Sequence, residues 1–358
     1  MRKIAVLGAG GTGHAITADL TLAGFEVKLY EGVESKEKLE GILKLGGIEI
    51  SGALGDSFAN FNNVTTEIEE ALNSVEIILV AIPALRHEKI ARICAPYLVN
   101  GQTIVIGPDN GGSLVFNNIF TDEKVKANVH IAGITGNYYS CRMVGPAKVQ
   151  IALPRRTKRI AAFPAKYTET VISKLNCLKC IYDFTAGTNI LEIALSSANL
   201  VTHLAGSLLN AGAIEKSGGE YYLYRQGITS SILRCRDAVE KERMAVFEVM
   251  GYTINPSDIL EKVARTEEFP ELELFRGLIG PTSMQHRYIT EDASIGNALF
   301  VSLAEMINVP TPVSRALLTL ASAINQTDYL KEGRTVDKLG LSGLSIDEMN
   351  RYLAEGSR

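Results

Sequence analysis

The sequence predicts an α/β domain with a parallel, doubly wound sheet over residues 1–186 and an all-α domain over residues 187–358. Three observations carry this. A short apolar run enters a glycine-rich turn and then a helical stretch at the very start. β-like and helical segments then alternate through the first half, which is the pattern of a parallel sheet with crossover helices. Past about Gly187 the β alternation stops and only helical periodicities remain. A length of 358 residues fits two domains.

The first strand is read from Lys3 to Leu7. Gly8, Gly10 and Gly13 follow in G-x-G-x-x-G spacing, with Gly11 and Thr12 inside the turn, and a helical stretch runs on to Gly24. A second strand, Phe25 to Tyr30, ends on Glu31. A glycine turn that leaves a strand, opens a helix and meets an acid further on is the context a dinucleotide motif of Rossmann type requires. Gly8 permits the tight turn, Gly10 lets backbone approach a pyrophosphate, and Gly13 allows close packing, with the helix N-terminus facing the phosphates. Glu31 can accept from both ribose hydroxyls and would repel a 2′-phosphate, so NAD(H) is favoured over NADP(H). "VEIILVAIP" reads as a buried strand, "ALRHEKIARICAPYL" as an amphipathic helix and "QTIVIGPDNGG" as a strand entering a loop. Ligands of such sheets sit beyond the carboxyl ends of the strands, so the loops at Pro83 and at 108–112 are expected to flank the cofactor. "NVHIAGI" and "AKVQIAL" are expected to extend the same sheet, and "KYTETVISKL" with "CLKCIYDF" to close the domain.

Composition removes other classes. Hydrophobic residues make up 46% and charged residues 21%, with a net charge of -4. A nucleic-acid partner leaves a basic stripe, and there is none. No apolar run approaches the roughly 18 residues of a membrane span, and the opening run turns into the glycine loop with no cleavage-like site after it. A cytoplasmic location is expected. The five cysteines are scattered; Cys177 and Cys180 form a lone C-x-x-C without a second pair or nearby histidines, so no metal site is expected, and both read as small buried hydrophobes.

In the second half, "TNILEIALSSANLVTHLAGSLLNAG" reads as one long, nearly all-apolar helical segment. "ITSSILRCRDAVEKERMAVFEVMG" reads as an amphipathic helix with charges on one face. "IGNALFVSLAEMINV" and "PVSRALLTLASAIN" are helical, and Ser345 with Glu348 stands in capping-box spacing. Asn199 and His203 share one face of the apolar segment. A lone histidine there is most often a core residue, but burying two polar side chains without partners is costly, and facing a cleft beside the nucleotide domain would relieve it. Further on, "QHRYITEDASIG" packs His286, Arg287, Glu291 and Asp292 between apolar segments.

These stretches carry a resemblance to the opine dehydrogenases, the octopine/nopaline dehydrogenase family, over nearly the whole chain. "ANLVTHLAGSLLNAG" resembles the family's N-x-x-x-H helix, "YYLYRQGIT" its tyrosine-rich turn, "GPTSMQHRYITED" its H-R-Y-x-x-E-D segment, "LKEGRTVDKLGL" its closing motif and "SCRMVGPAKVQI" its A-C-R-x-x-G-P segment. The resemblance implies an NAD(P)-dependent reductive condensation of an amino acid with a 2-oxo acid such as pyruvate, and the reverse oxidation. It places His203 as the proton-transferring residue paired with Asp292, and Arg287 at a substrate carboxylate. The chemistry agrees: histidine handles protons near neutral pH, a carboxylate can orient its ring, and arginine offers the fork that matches a carboxylate. Asn199, Thr135, Tyr139 and Cys141 are expected at the substrate. The chain departs from the family at Ser197, Leu204 and Tyr138, and Thr135 stands about where arginine-using relatives carry an acid. A neutral amino-acid substrate is therefore expected, unless Glu192 or Glu220 supplies a charge. The expected partners are small molecules, with no nucleic acid or membrane, and a homodimer is the assembly entertained. The competing readings are a 2-oxo acid reductase like ketopantoate reductase or glycerol-3-phosphate dehydrogenase, using a lysine such as Lys174, Lys216 or Lys241, and a non-catalytic NAD(H)-binding module.

Overall fold

A computed structural model describes residues 2–154, 156–253 and 256–357. They form two compact units, one running to Ile193 and including Leu353–Gly356, the other taking up the rest from Ala194. The strands of the first unit are β1 (Lys3–Leu7), β2 (Glu26–Tyr30), β3 (Gly47–Gly52), β4 (Ser57–Asn60), β5 (Val64–Thr65), β6 (Ile77–Val80), β7 (Thr103–Ile106), β8 (His130–Ile134), β9 (Ser140–Gly145), β10 (Lys148–Leu153), β11 (Thr157–Phe163) and β12 (Asp183–Ala186).

Eight of these make the main sheet in the order β12-β11-β8-β7-β6-β1-β2-β5. All its pairings are parallel except β11 with β8. The central strands are apolar on both faces, and Ile4, Ala5, Val6 and Leu7 are wholly buried, as a sheet covered on both sides demands. From β1 the chain builds outward through β2 to β5, then crosses back to lay β6 on the other side of β1. That reversal is the switch point at which doubly wound sheets bind ligands. The helix Gly11–Leu22 ends where Gly24 takes φ +86, and the Gly24 and Phe25 amides return to Thr21 O and Leu20 O, a glycine-terminated cap.

One strand expectation is corrected. "AKVQIAL" does not extend the main sheet: β10 lies in a separate four-stranded sheet of order β4-β3-β10-β9. It pairs antiparallel with β9 and parallel with β3. Alternation announces a half-buried strand but carries no address for it, and β3 arrives from a hundred residues upstream. The inward residues Ile48, Ile50, Val149 and Ile151 join one core with Ala15, Ile16, Val6 and Leu29, so this sheet covers the helix that follows the glycine turn. The cysteine reading is also corrected: Cys177 is only half-buried and Cys180 is exposed, because the turn around them sends Leu178 inward instead. Among the described residues, no helix is long and apolar enough to cross a membrane and no cluster of three or more His, Cys, Asp or Glu side chains could hold a metal.

The second unit is helical. The expected single apolar helix is broken into Ile190–Leu195, Ala198–Leu208 and Ala211–Lys216. Ser197 is the reason for the first break: its backbone is extended and its Oγ accepts from the Asn199 amide, capping the helix that carries His203. Ser230–Met250 is one helix as expected, capped by Thr229 and ended at Gly251. Its charges do not all face water, however; Arg236, Glu240, Glu242 and Arg243 are buried. Glu242 accepts from the Val313 and Ser314 amides at 2.7 and 2.9 Å, so it neutralises the N-terminus of helix Pro312–Asn325 from a neighbouring element. Ser345 and Glu348 form the reciprocal capping box, at 3.3 and 2.9 Å.

The glycine turn yields a contrast that stability measurements can read. A Cβ on Gly13 would stand 1.7 Å from Gly8 O, whereas one on Gly10 would meet nothing within 4 Å. Gly13→Ala should lower the unfolding free energy by about 1–3 kcal/mol, as overpacking does. Gly10→Ala, at ordinary backbone angles, should leave it unchanged or raise it by up to about 1 kcal/mol. Urea titrations of the two variants beside the parent chain measure both.

Candidate active site

At the carboxyl end of β1, Gly8 takes φ +108, and a Cβ there would lie 2.5 Å from Ile82 Cγ2 and 2.8 Å from Ala81 O. The loops after β1 and β6 therefore touch at the switch point, and only glycine allows it. Pro83, exposed, follows in the second loop and leads a 3₁₀ turn. No side chain caps the helix Gly11–Leu22 and no acid stands in its first turn, so its N-terminus is left for an external anion. Gly11 lies against Cys141, 3.6 Å from the position of its absent Cβ. Thr12 Oγ1 donates to Asn137 Oδ1 at 3.3 Å. Glu31 is 6% exposed; one carboxylate oxygen accepts from the Ala9 amide at 3.0 Å and from Lys38 Nζ at 3.1 Å, the other from the Gly32 amide at 3.2 Å. These residues fit a dinucleotide: an uncapped helix start, open space over Gly10, and a carboxylate at the end of β2.

The segment after β8 is held from beneath. Lys158, 2% exposed, donates to Asn137 O at 2.7 Å and Tyr138 O at 3.0 Å. Thr135 is half-buried, with its Oγ1 enclosed and unbonded in the structure. Tyr139 lies in the core and donates its hydroxyl to Asp19, which also takes Arg156 at 2.6 Å; burial pushes that phenol well above its ordinary range. Cys141 is buried beside the glycine turn. Glu192 is fully buried and paired with Arg159 at 2.5 Å, while Glu220 is exposed.

In the helical unit the structure brings His203 and Asp292 together. Nδ1 of His203 lies 2.7 Å from the Asp292 carboxylate, and the ring is 3% exposed. Two residues unremarked in the sequence complete the surround. Tyr224 places its hydroxyl 3.1 Å from Nε2, and Tyr288 stacks on the ring with centroids 3.8 Å apart and planes at 14°. Tyr224 stands in "YYLYRQGIT" and Tyr288 in "QHRYITED"; neither motif marks them for chemistry, since a tyrosine is more often packing. Asp292 opens a π-helical segment, Asp292–Asn297, and Tyr224 sits in another, Leu223–Gly227. Such turns are rare and cluster at functional sites. Asn199 lies half-buried one turn before His203. Arg287 precedes Asp292 on the short helix Arg287–Glu291, but its side chain is 49% exposed and lies 4.0 Å from the Glu291 carboxylate. His286 caps that helix, accepting from the Tyr288 amide. Lys216 and Lys241 are exposed, and Lys174 binds Gly101 O in the first unit, so none of the three lysines stands in this cluster.

A family profile described as NAD/NADP octopine/nopaline dehydrogenase, alpha-helical domain, matches residues 186–325. A second, described as ketopantoate reductase PanE/ApbA, matches residues 4–158. The opine dehydrogenase of Arthrobacter sp. (strain 1C) is 31% identical over 96% of this chain and 96% of its own. The chain belongs to the opine dehydrogenase family. Protein ocs of Agrobacterium tumefaciens (strain Ach5) is 25% identical over 99% of both chains. An octopine dehydrogenase solved with NADH and L-arginine shares the fold, with a TM-score of 0.72 at 18% identity over 100% of this chain and 99% of the other. As a member of the family, the protein is an NAD(P)-dependent oxidoreductase acting on CH–NH groups.

In this family member the start of the His203 helix is fixed by a buried ion pair. Arg243, 2% exposed, binds both oxygens of Glu240 at 2.6 and 2.7 Å. It also donates to Ser197 O at 2.9 Å and Leu195 O at 3.2 Å, two carbonyls at the break before the helix, the first of which also accepts from the Leu200 amide at 3.3 Å. Burial pulls the guanidinium below its ordinary range, and Glu240 opposes that. Removing one partner of such a pair strands a buried charge. Glu240→Ala should therefore cost about 3–5 kcal/mol of unfolding free energy, read from urea denaturation; a loss under about 1 kcal/mol would place the pair in water.

Proposed function

We propose that the protein reductively condenses a neutral amino acid with a small 2-oxo acid, pyruvate foremost, to an N-(carboxyalkyl)amino acid, and catalyses the reverse oxidation. The observation that carries this is the buried 2.7 Å bond between His203 and Asp292. A histidine oriented and charge-balanced by a carboxylate can give a proton to a leaving hydroxyl and take one from an amine near neutral pH. Asp292 fixes which ring nitrogen carries the hydrogen. Arg287, with half its side chain in solvent, offers its fork to a substrate carboxylate, and Asn199 lies on the helix face leading to His203. Residues 1–186 hold the dinucleotide and residues 187–358 carry the proton chemistry. NAD(H), when bound, supplies or accepts the hydride.

Two features support the finer choices. Glu31 stands where a ribose 2′-hydroxyl would be accepted and a 2′-phosphate repelled, which favours NADH. A guanidinium or ammonium in the substrate needs a carboxylate once desolvated. The segment 135–141 offers none, and Glu192 is already paired with Arg159.

Following NADH and NADPH oxidation across a matrix of 2-oxo acids and amino acids tests this reading. Turnover is expected only when both substrates are present, faster with NADH than with NADPH, and with higher kcat/KM for neutral amino acids than for arginine or lysine. Turnover on a 2-oxo acid alone would sink the condensation, and a preference for the basic amino acids would sink the substrate class.

The dyad is tested separately. His203→Ala and Asp292→Ala should each lose kcat on the scale of about 10² to 10⁴ while NADH affinity is kept. The double variant should fall little below the worse single one, because residues acting as a unit are not additive. Fully multiplicative losses would contradict the pairing.

A further inference from the structure

We propose that Tyr224 is the third member of the proton-transfer unit, and that its hydroxyl relays the proton between Nε2 of His203 and the substrate. This rests on the reading of His203 as the proton-transferring residue.

Both nitrogens of the His203 ring have partners. An ionised carboxylate can only accept, so His203 donates Nδ1–H to Asp292 and, in the neutral ring, Nε2 is left as a lone pair. The Tyr224 hydroxyl, at 3.1 Å, donates to it. Tyr288 lies flat against the imidazole. Of the two nitrogens that exchange protons, one is held by Asp292 and the other by Tyr224, and a proton leaving Nε2 passes to the phenolic oxygen.

Tyr224 is also anchored to do this. Its ring packs on Phe275 with centroids 4.4 Å apart. Its π-helical turn is tied to the His203 helix by Asn210, whose amide nitrogen bonds Gly206 O at 2.7 Å and Gly227 O at 3.2 Å. One side chain thus links the end of the helix bearing the imidazole to the turn bearing the phenol. The Leu223 amide adds a bond to Gly280 O at 3.3 Å.

The relayed step balances. When the amine has added to the 2-oxo acid, the carbinol must lose water. The Tyr224 O–H bond breaks and its proton goes to the carbinol oxygen. The C–O bond breaks, releasing water and leaving an iminium. His203 enters this step as the imidazolium, the Tyr224 hydroxyl having passed to Nε2 the proton that the amino acid's ammonium group shed before addition. That Nε2 proton moves to the phenolic oxygen and restores the hydroxyl, so His203 ends neutral and the positive charge resides on the iminium. Nothing is oxidised or reduced in this step.

The test is Tyr224→Phe, which keeps the ring and its contact with Phe275, assayed with pyruvate and the fastest amino acid of the matrix above. The relay requires kcat to fall by about 10², with substrate KM and NADH affinity little changed and the solvent deuterium isotope effect on kcat altered. A hydroxyl that substrate merely pushes aside gives the opposite result, kcat unchanged or higher, and overturns the relay. Site-specific 3-fluorotyrosine at position 224 keeps size and hydroxyl while making the phenol more acidic. It should shift the pH dependence of kcat, and an unshifted profile also overturns the proposal. If His203→Ala stays fully active, the failure lies with the dyad; if His203→Ala is inactive while Tyr224→Phe matches the parent, only the relay fails.

Discussion

The 2.7 Å bond between His203 and Asp292 joins residues 89 positions apart, and it can form only if two helical segments keep a fixed spacing. Much of the helical unit serves that requirement. Ser197 starts the His203 helix at a set residue, and Arg243 binds two carbonyls at the break, so the helix cannot slide along its axis without breaking those bonds. The π-helical segment that begins at Asp292 is itself secured: Asn297 Nδ2 returns to Asp292 O at 3.1 Å, and the Arg334 amide donates to Ser294 O at 2.6 Å. Buried charge is spent on geometry here. Glu240, Glu242 and Arg243 all lie on one helix, Ser230–Met250, and all three satisfy backbone or each other at the ends of neighbouring helices.

The nucleotide half shows the same logic in uncharged form. Three backbone approaches, at Gly8, Gly13 and Gly11, bring two strand ends, a helix start and the edge of the second sheet within contact distance. Gly8 and Gly13 leave no room for a side chain, while a Cβ on Gly11 would make ordinary contact with Cys141. Where the contacts stop, at Gly10, there is open space.

The sequence made the first half legible because strand, turn, helix and acid follow one another in contiguous order, and local order is what periodicity reports. It could not say that β10 leaves the main sheet, since strand partners are chosen by long-range packing. In the helical half His203, Asp292 and Arg287 were visible through motifs, but the motifs say nothing of distance; the structure joins the first two and leaves Arg287 half in solvent. Tyr224 and Tyr288 stand in the same motifs but carry no sequence signal of a role, because an aromatic residue in an apolar chain has an ordinary use. The charged positions of Ser230–Met250 differ from their sequence pattern for a related reason: a charge pattern shows spacing, and only a folded neighbour shows that Glu242 meets a helix start.

The second sheet sets an order on how the chain is made. Its strands come from two stretches, Gly47–Asn60 and Ser140–Leu153, and β3 has β10 as its parallel partner. A ribosome that has released residue 60 has delivered only half of this cover. The outer side of helix Gly11–Leu22 then stays without its final packing until β9 and β10 emerge, some eighty residues later. Closing that loop has an entropic cost before any contact returns it. The nucleotide turn, although encoded within the first thirteen residues, therefore gains its full cover only once Leu153 has emerged.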